Sequence, residues 1–304
     1  MTKKFTQLTA ATVLADDDQY ALVQNYSTTP ILRRTPFSLI KSTLKTYFDS
    51  LYASISGYAI LPISIVDGLT LSNNVSDANN DIDIAPGKVV DSGGTENMIL
   101  SLSLTKRLDA SWTVGSNQGG LDTGTKAINT WYHVWLIKRT DTGVVDVLFS
   151  TSGTTPTMPS GYTKKHRLLS VRTDGSGNIL PFSQNGDEVL WSNISTDLSA
   201  EASSATAGLK TILVPSGIKV NAILALRSVY SASSVNVLIT SPDQADQAPT
   251  STLATLAVSS AVAFASTMMN VRTNTSSQVR LRSSGTGATN TILTSGWVDP
   301  RGKW

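Results

Sequence analysis

Hydrophobic and polar residues alternate at a period of two through much of this chain, and this alternation limits the fold more than any other feature. Between residues 98 and 104, Met98, Leu100, Leu102 and Leu104 fall on one side of a strand, and Ser101 and Ser103 fall on the other. The same alternation returns at residues 218–226 and 235–239. A period of two is the pattern of a half-buried β-strand. The sequence therefore predicts a mainly β fold.

The composition supports this prediction and limits the kinds of partner that the chain can bind. Charged residues make up 15% of the 304 residues, against about 25% in a typical soluble domain, so Ser, Thr, Asn and Gly must supply the polar surface. The 24 basic and 22 acidic residues leave a net charge of +2, which gives no broad field for a phosphate backbone. The basic clusters at residues 33–34 and 164–167 are interpreted as solvated turns. No nucleic-acid partner is predicted.

Cysteine-dependent sites and membrane-spanning segments are not expected in this chain. It contains no cysteine, which excludes disulfides and thiolate metal sites, and no cofactor is predicted. No apolar run approaches the ~18 residues that span a bilayer, so membrane insertion is not expected. The first ten residues do not contain the continuous apolar segment of a signal peptide.

Residues 1–35 are predicted to be an arm, with a short hairpin around 18–34, that is too short to bury a core of its own. A helix is predicted over residues 36–57, where Thr35 can cap the first turn and Pro36 suits it. Its hydrophobic residues follow a/d spacing, typical of a coiled-coil seam. This candidate oligomer seam comprises Phe37, Ile40, Leu44, Tyr47 and Leu51. It covers about two heptads, so two interpretations stay open: a helix packed on its own domain, or a parallel bundle around a threefold axis.

The rest of the chain is predicted to form two antiparallel β-sandwich-like domains. Residues 58–192 are the central β domain, where hairpins are expected at 131–150 and 167–182 because strand-like runs flank the turn sequences Thr-Asp-Thr-Gly and Asp-Gly-Ser-Gly-Asn. The Ser/Ala/Thr-rich residues 193–208 are predicted to be a linker. Residues 209–304 are the C-terminal β-sandwich domain, whose length is usual for that architecture.

The search for catalytic or metal-binding residues predicts that the chain is not an enzyme. His133, within Trp-Tyr-His-Val-Trp, is interpreted as a packed strand residue, and His166 as part of the basic turn. The series Asp77, Asn79, Asp81 and Asp83 resembles a calcium loop, but Ile82 and Lys88 occupy the positions that need Gly and Glu. Neither a catalytic nor a metal site is therefore predicted, although carboxylate pairs that meet only in space stay open.

Several stretches resemble tail-fibre and other virion-appendage proteins of tailed bacteriophages. The N-terminal segment from Leu14 to Gln24 and the Arg-Arg-Thr-Pro-Phe-Ser-Leu-Ile-Lys sequence after it resemble their attachment segments. Asn-Asp-Ile-Asp-Ile-Ala-Pro-Gly, Trp-Tyr-His-Val-Trp-Leu-Ile and Arg-Thr-Asp-Gly-Ser-Gly-Asn-Ile resemble a module of phage structural proteins. The ending Thr-Ser-Gly-Trp-Val-Asp-Pro-Arg-Gly is similar to C-termini of the same class. The resemblance implies a homotrimer with no catalytic residues.

From this resemblance the expected function is that of a virion structural protein, a tail fibre or short appendage fibre located on the particle. The arm of residues 1–35 would anchor it to other virion proteins, and the C-terminal β domain would contact the host surface, with a glycan as an open ligand. The alternative is a purely architectural collar, head-fibre, baseplate or capsid-decoration protein. A capsular polysaccharide depolymerase is least favoured, because the chain lacks the long repeats of a β-helix.

Overall fold

The computed structural model describes residues 19–24, 31–56 and 60–303 of the chain. The chain divides into two compact units, Met1–Ile60 and Leu61–Trp304. The architecture is mainly β, with several sheets, and is consistent with a β-sandwich-like fold. The prediction of a mainly β chain is therefore confirmed.

The first unit contains a hairpin and a helix. Strands β1 (Gln19–Gln24) and β2 (Ile31–Pro36) pair antiparallel, and helix α1 (Phe37–Ser56) follows directly. The predicted helix is confirmed within one residue at each end. The hydroxyl groups of Thr43 and Thr46 donate to backbone carbonyls four residues earlier, at 2.8 and 2.9 Å. These bonds satisfy polar side chains that would otherwise compete with the helix for backbone partners.

The second unit is built from strands. Their bounds are β3 (Val66–Gly68), β4 (Leu71–Asn73), β5 (Asp81–Ile84), β6 (Gly87–Val90), β7 (Asn97–Leu100), β8 (Leu104–Ser111), β9 (Gln118–Leu121), β10 (Trp131–Arg139), β11 (Val145–Ser150), β12 (Tyr162–Arg172), β13 (Phe182–Asn185), β14 (Glu188–Ala202), β15 (Gly208–Thr211), β16 (Asn221–Tyr230), β17 (Val235–Thr240), β18 (Leu256–Val258), β19 (Phe264–Arg272), β20 (Gln278–Ser283) and β21 (Ala288–Val298).

These strands form four sheets. A seven-stranded sheet has the order β12-β10-β11-β9-β8-β5-β4, and a three-stranded sheet has the order β3-β6-β7. A five-stranded sheet has the order β13-β14-β21-β16-β19, and a four-stranded sheet has the order β15-β20-β17-β18. The predicted β10–β11 hairpin is confirmed by antiparallel pairing. The second predicted hairpin is reduced to one bridge, between Thr173 and Ile179, because Phe182 begins β13, which pairs with β14 in a different sheet.

One strand of the seven-stranded sheet departs from the predicted antiparallel pattern. Strand β9 pairs parallel to both of its neighbours, β8 and β11. Two glycines allow this close fit: a Cβ on Gly119 would lie 2.0 Å from the carbonyl oxygen of Ser111, and one on Gly120 would lie 2.7 Å from the Phe149 ring. Only residues without a side chain can bring the backbone so close.

The alternation between residues 98 and 104 also differs from the prediction of one strand. Met98, Leu100 and Leu104 are buried, whereas Leu102 is 78% exposed. The chain leaves β7 after Leu100 and enters β8, in a different sheet, at Leu104. A turn between two sheets therefore interrupts the period of two, and Leu102 lies at that turn.

The second unit contains a continuous hydrophobic core that crosses the predicted domain boundary. Trp131 of β10, Trp191 of β14 and Trp297 of β21 pack together, with ring centroids 5.0 to 5.8 Å apart. Residues 193–208, the predicted linker, are not a separate segment, because β14 extends through residue 202 and pairs with β21. Serine and threonine gave these residues a linker-like composition, but the same residue types also suit a half-exposed strand.

Candidate functional site

The predicted oligomer seam lies on α1, in the first unit. Ile40 is half-buried, whereas Leu44 and Tyr47 are 48% and 56% exposed. The side chains of Phe37 and Leu51 lie outside the described residues. Leu39, which the a/d spacing does not include, is also 56% exposed. Hydrophobic exposure on this helix is therefore not confined to the predicted seam, and the trimer stays a prediction.

A cleft of about 760 Å³ lies in the second unit, between β10 and β12 on one side and β16 and the C-terminal residues on the other. Its lining includes Trp135, Lys219, Arg272 and the buried pair Arg167 and Asp299. The charged groups of this lining are paired: Lys219 Nζ lies 2.6 Å and Arg272 Nη2 2.7 Å from the carboxylate of Asp243. Because these charged side chains have partners of opposite charge, the cleft presents polar atoms but no strong net electrostatic field.

The prediction that residues 164–167 form a solvated turn is wrong. These residues belong to β12, and the Arg167 side chain is 4% exposed. Its guanidinium donates to both carboxylate oxygens of Asp299, at 2.5 and 3.2 Å. Burial alone would raise the pKa of Asp299, but Arg167 and hydrogen bonds from the Arg301 backbone and the Trp297 indole hold that pKa below its usual value. An arginine at this position stays buried because its charge is fully paired.

His133 lies beside this ion pair. It is buried, and its Nδ1 is 2.8 Å from the hydroxyl of Ser170, which confirms the interpretation of a packed, hydrogen-bonded strand histidine. Burial, helped by the positive charge of Arg167, lowers the pKa of His133 to about 4. Gly153 and Gly217 adjoin the ring, and a Cβ on either would lie within 3.4 Å of Nε2. The neutral ring is therefore enclosed and serves packing.

His166, also predicted to lie in a solvated basic turn, is instead a residue of β12. Its side chain is fully buried, and Nε2 donates to the carbonyl of Arg301 at 2.8 Å. Burial lowers the pKa of His166, so the ring is neutral at pH 7. Arg301 in turn donates from Nη2 to the carbonyls of Gly68 and Leu69, at 3.1 and 2.7 Å. The C-terminal sequence Trp-Val-Asp-Pro-Arg thus holds the two ends of the second unit together.

The C-terminal β domain, predicted to contact the host, has polar loops predicted at residues 231–234, 242–251 and 283–290. In the structure β20 and β21 shorten the last of these to residues 284–287. The loops at residues 231–234 and 284–287 meet, because the amides of Ser231 and Ala232 donate to the carbonyl of Gly287 at 2.8 and 3.1 Å. The loop at residues 242–251 begins beyond the opposite end of β17, and its Asp246 pairs at 2.8 Å with Arg282, near the end of β20. Two of the three loops therefore meet directly, and the third contacts β20, the strand that leads into the loop at residues 284–287.

The acidic series at residues 77–83 follows the sequence interpretation of a polar loop that runs into a strand. Asp77 accepts hydrogen bonds from the side chain of Asn80, and Asp81 begins β5. Within residues 19–24, 31–56 and 60–303, no group of three or more His, Asp or Glu residues could hold a metal ion. In the same part of the chain, no helix has the length and hydrophobicity needed to cross a membrane.

Comparisons with known proteins give no family for this chain. No family model matches it, and no curated protein matches it. Among solved structures, "Structure of infectious bursal disease virus Gx strain" is similar over 82% of this chain and 76% of that chain, at 12% identity and a TM-score of 0.19. A TM-score of this size does not define a shared fold.

Proposed function

We propose that this chain is a structural protein of a bacteriophage particle, a tail fibre or short appendage fibre anchored by its N-terminal residues. The resemblance of its sequence segments to virion-appendage proteins is the first support. The observation that carries the proposal is the division of the chain into a small hairpin-helix unit and a large, mainly β unit. A hairpin and one helix bury little hydrophobic surface, so such a unit depends on a partner for its stability.

The host-contact part of the proposal rests on the second unit. Its strands hold the loops at residues 231–234 and 284–287 together, and rigid sheets that carry exposed polar loops are a common arrangement for binding surfaces. Serine and threonine hydroxyls are suited to a glycan, which they bind by hydrogen bonds without charge. Binding by one copy would be weak, and several copies on one fibre would raise the avidity.

The location can be tested on particles. An antibody against residues 61–304, applied to purified phage with gold labelling, should mark an appendage or the tail end. A phage that encodes the chain without residues 1–35 should assemble particles without this label, while the truncated chain keeps the melting temperature of its β unit. Label that remains on the truncated particles would show that the anchor lies elsewhere, and no label on intact particles would overturn the proposal.

Host contact needs a second experiment. The purified full chain should bind the bacterium that supports the phage and should compete with phage adsorption, without releasing reducing ends from surface polysaccharide. Particles that carry the chain but are not blocked by an excess of the free protein would favour the architectural alternative. Release of reducing ends would favour the depolymerase.

A further inference from the structure

Lys106 of β8 and Asp146 of β11 form an ion pair in the interior of the second unit. Their side chains are 0% and 1% exposed, and Lys106 Nζ lies 3.0 Å from Oδ1 and 3.1 Å from Oδ2 of Asp146. Lysine is almost never buried to this extent. A buried ion pair is also a costly way to stabilise a core, because hydrophobic residues of similar volume are often at least as stable. The pair therefore needs an explanation other than core stability.

The seven-stranded sheet brings these two side chains together from strands that are not neighbours. Strand β9 lies between β8 and β11, so Lys106 and Asp146 meet across a strand to which neither belongs. Gly120 of β9 leaves room for this contact, because a Cβ there would lie 2.7 Å from the Phe149 ring and 3.3 Å from Cβ of Lys106. A side chain at this position would therefore press on the stem of the lysine.

Backbone groups hold the amine and the carboxylate against each other. The carbonyl of Thr113 accepts a hydrogen bond from Lys106 Nζ at 2.6 Å. The amides of Val147 and Gly115 donate to Oδ1 and Oδ2 of Asp146, at 2.7 and 2.9 Å. Because Nζ is nearly equidistant from the two oxygens, it lies about 3.5 Å from the carboxyl carbon between them, which is the separation of reacting atoms in a near-attack arrangement.

The surroundings favour the uncharged forms of both groups. Burial lowers the pKa of Lys106 and raises the pKa of Asp146, while the attraction between the two charges opposes both shifts. Transfer of one proton from Nζ to Oδ2 converts the ion pair into an amine and a carboxylic acid, which cost less to bury than two charges. An uncharged amine is a nucleophile. A site without water also favours condensation over hydrolysis.

We propose that Lys106 and Asp146 condense into an intramolecular amide bond that cross-links β8 to β11. After a small rotation of the carboxyl group, Nζ attacks the carboxyl carbon, and the Val147 amide stabilises the negative charge that develops on Oδ1. A second proton then passes from Nζ to Oδ2, the bond between the carbon and Oδ2 breaks, and one water leaves. Each chain reacts once, without an oxidant or a cofactor, so the bond is a modification and not an enzymatic activity.

The cross-link goes beyond the proposed function and does not rest on it. It would close a loop between residues that lie 40 positions apart in the sequence. Such a closure stabilises a fold by restricting its unfolded state, as a disulfide does. The sequence contains no cysteine, so an amide between side chains supplies a covalent restraint that this chain cannot obtain from a disulfide.

Mass spectrometry of the purified full chain tests the proposal. The intact mass should be about 18 Da below the mass calculated from the sequence, because each chain loses one water. After denaturation and digestion with trypsin, residues 89–107 and 140–164 should be recovered as one linked peptide, since trypsin does not cleave after an acylated lysine. Fragmentation of this peptide should place the link at Lys106 and Asp146.

The linked peptide, and not the intact mass, decides the result. Succinimide formation at the Asp-Gly sequences of residues 67–68 and 174–175 would cause the same loss of mass without joining two peptides. Lys138 and Glu96 provide a matched control in the same digest. Their charged groups lie 2.9 Å apart, but the side chains are 20% and 37% exposed, so water keeps both groups charged and no link should form between them.

Lys106→Arg is the matched variant, because arginine keeps the positive charge and its guanidinium does not lose a proton to become a nucleophile. Its residues 89–107 and 140–164 should give no linked peptide. If this larger side chain prevents folding, the wild-type digest and the Lys138–Glu96 control still decide the question.

Three results would overturn the proposal: wild-type protein whose residues 89–107 and 140–164 appear only in separate peptides, a link between them that persists in Lys106→Arg, or an equal link between Lys138 and Glu96. Absence of the chain from phage particles would overturn the proposed function and leave these peptide masses unaffected. The two proposals therefore fail separately.

Discussion

Arg167 and Asp299 lie 132 positions apart in the sequence and form an ion pair that solvent does not reach, with 2.5 Å between Nη2 and Oδ1. The pair joins the middle of β12 to the residues that follow β21. The indole of Trp297 and the backbone amide of Arg301 donate to the same carboxylate, at 3.2 and 2.7 Å. The last residues of the second unit are therefore held by a charged group in its interior.

The first prediction is that Asp299→Asn destabilises the protein by about 3–5 kcal/mol, because it leaves the Arg167 charge buried without its partner. Urea unfolding, followed by tryptophan fluorescence, measures this change. Asp243→Asn is the matched control, since Asp243 pairs with Lys219 and Arg272 at the surface, where water screens the charges and the loss should be much smaller. Equal losses in the two variants would show that burial does not decide the strength of the Arg167–Asp299 pair.

The second prediction concerns the pH dependence of stability. The pKa of His133 is about 4 in the folded protein and about 6.5 in an unfolded chain. Between these values the unfolded state binds a proton that the folded state does not, so stability falls as the pH is lowered from 6.5 to 4. The slope from one such histidine is at most about 1.4 kcal/mol per pH unit.

His133→Asn should reduce this slope, because asparagine does not titrate in this range. Urea unfolding at several pH values between 4.5 and 7.5 tests the prediction, and the change in slope, not the absolute stability, is the result that counts. Part of the slope should persist in the variant, since burial also lowers the pKa of His166. An unchanged slope would show that His133 titrates normally in the folded protein.

At lower pH, protonation of Asp299 also decreases the stability of the folded protein. Its folded pKa is depressed, so the stability it contributes is present above its unfolded value of about 3.9 and is lost as the pH falls through the lower, folded value. The ion pair and the histidines together predict a β unit that is acid-labile and stable at neutral pH.

The third prediction is that residues 61–304 unfold in one cooperative transition. Trp131, Trp191 and Trp297 form one cluster across the boundary that the sequence predicted, and β14 pairs with β21 along most of its length. All six tryptophans of the chain lie in this unit, so their fluorescence reports on it alone. The variants Trp112→Phe and Trp297→Phe should therefore each keep a single transition that coincides with the loss of far-ultraviolet circular dichroism. The midpoint of Trp297→Phe should be lower, because this variant removes the buried hydrogen bond to Asp299. Two separate midpoints would restore the two-domain prediction.

The sequence allowed the local elements to be predicted better than their assembly. The helix of residues 37–56 and the β10–β11 hairpin follow from spacing and turn residues that lie close together in the chain. The burial of Arg167 could not be predicted, because its partner Asp299 is distant in sequence and no local pattern links them. The linker prediction failed for a related reason, since composition at residues 193–208 does not reveal that β21 is available to pair with them.

The outer side of β16 shows the same limit of prediction from local sequence patterns. The alternation at residues 218–226 predicted one strand face for Ile218, Val220, Ala222, Leu224 and Leu226. The last four are buried, whereas Ile218 is half-buried and precedes β16, which begins at Asn221. The intervening Ile223 and Ala225 carried a signal of their own, a strand with hydrophobic residues on both sides. Such a strand is expected where both faces are covered. In the described residues β19 and β21 flank this strand within its sheet, and Ile223 and Ala225 are half-buried on its outer face.

The last prediction is that Leu44→Asp lowers the oligomeric state of the full chain. Leu44 is central in the predicted seam and 48% exposed in the single chain, so aspartate costs little in a monomer but places a charge within a helical bundle. Leu39→Asp is the matched control, because Leu39 is 56% exposed on the same helix and outside the a/d positions. Light scattering at micromolar concentration should show a homotrimer for the wild type and for Leu39→Asp, and smaller species for Leu44→Asp. If both variants lower the mass equally, hydrophobic exposure and not the a/d seam determines assembly. If neither does, the helix packs on its own chain, and the a/d seam does not determine assembly.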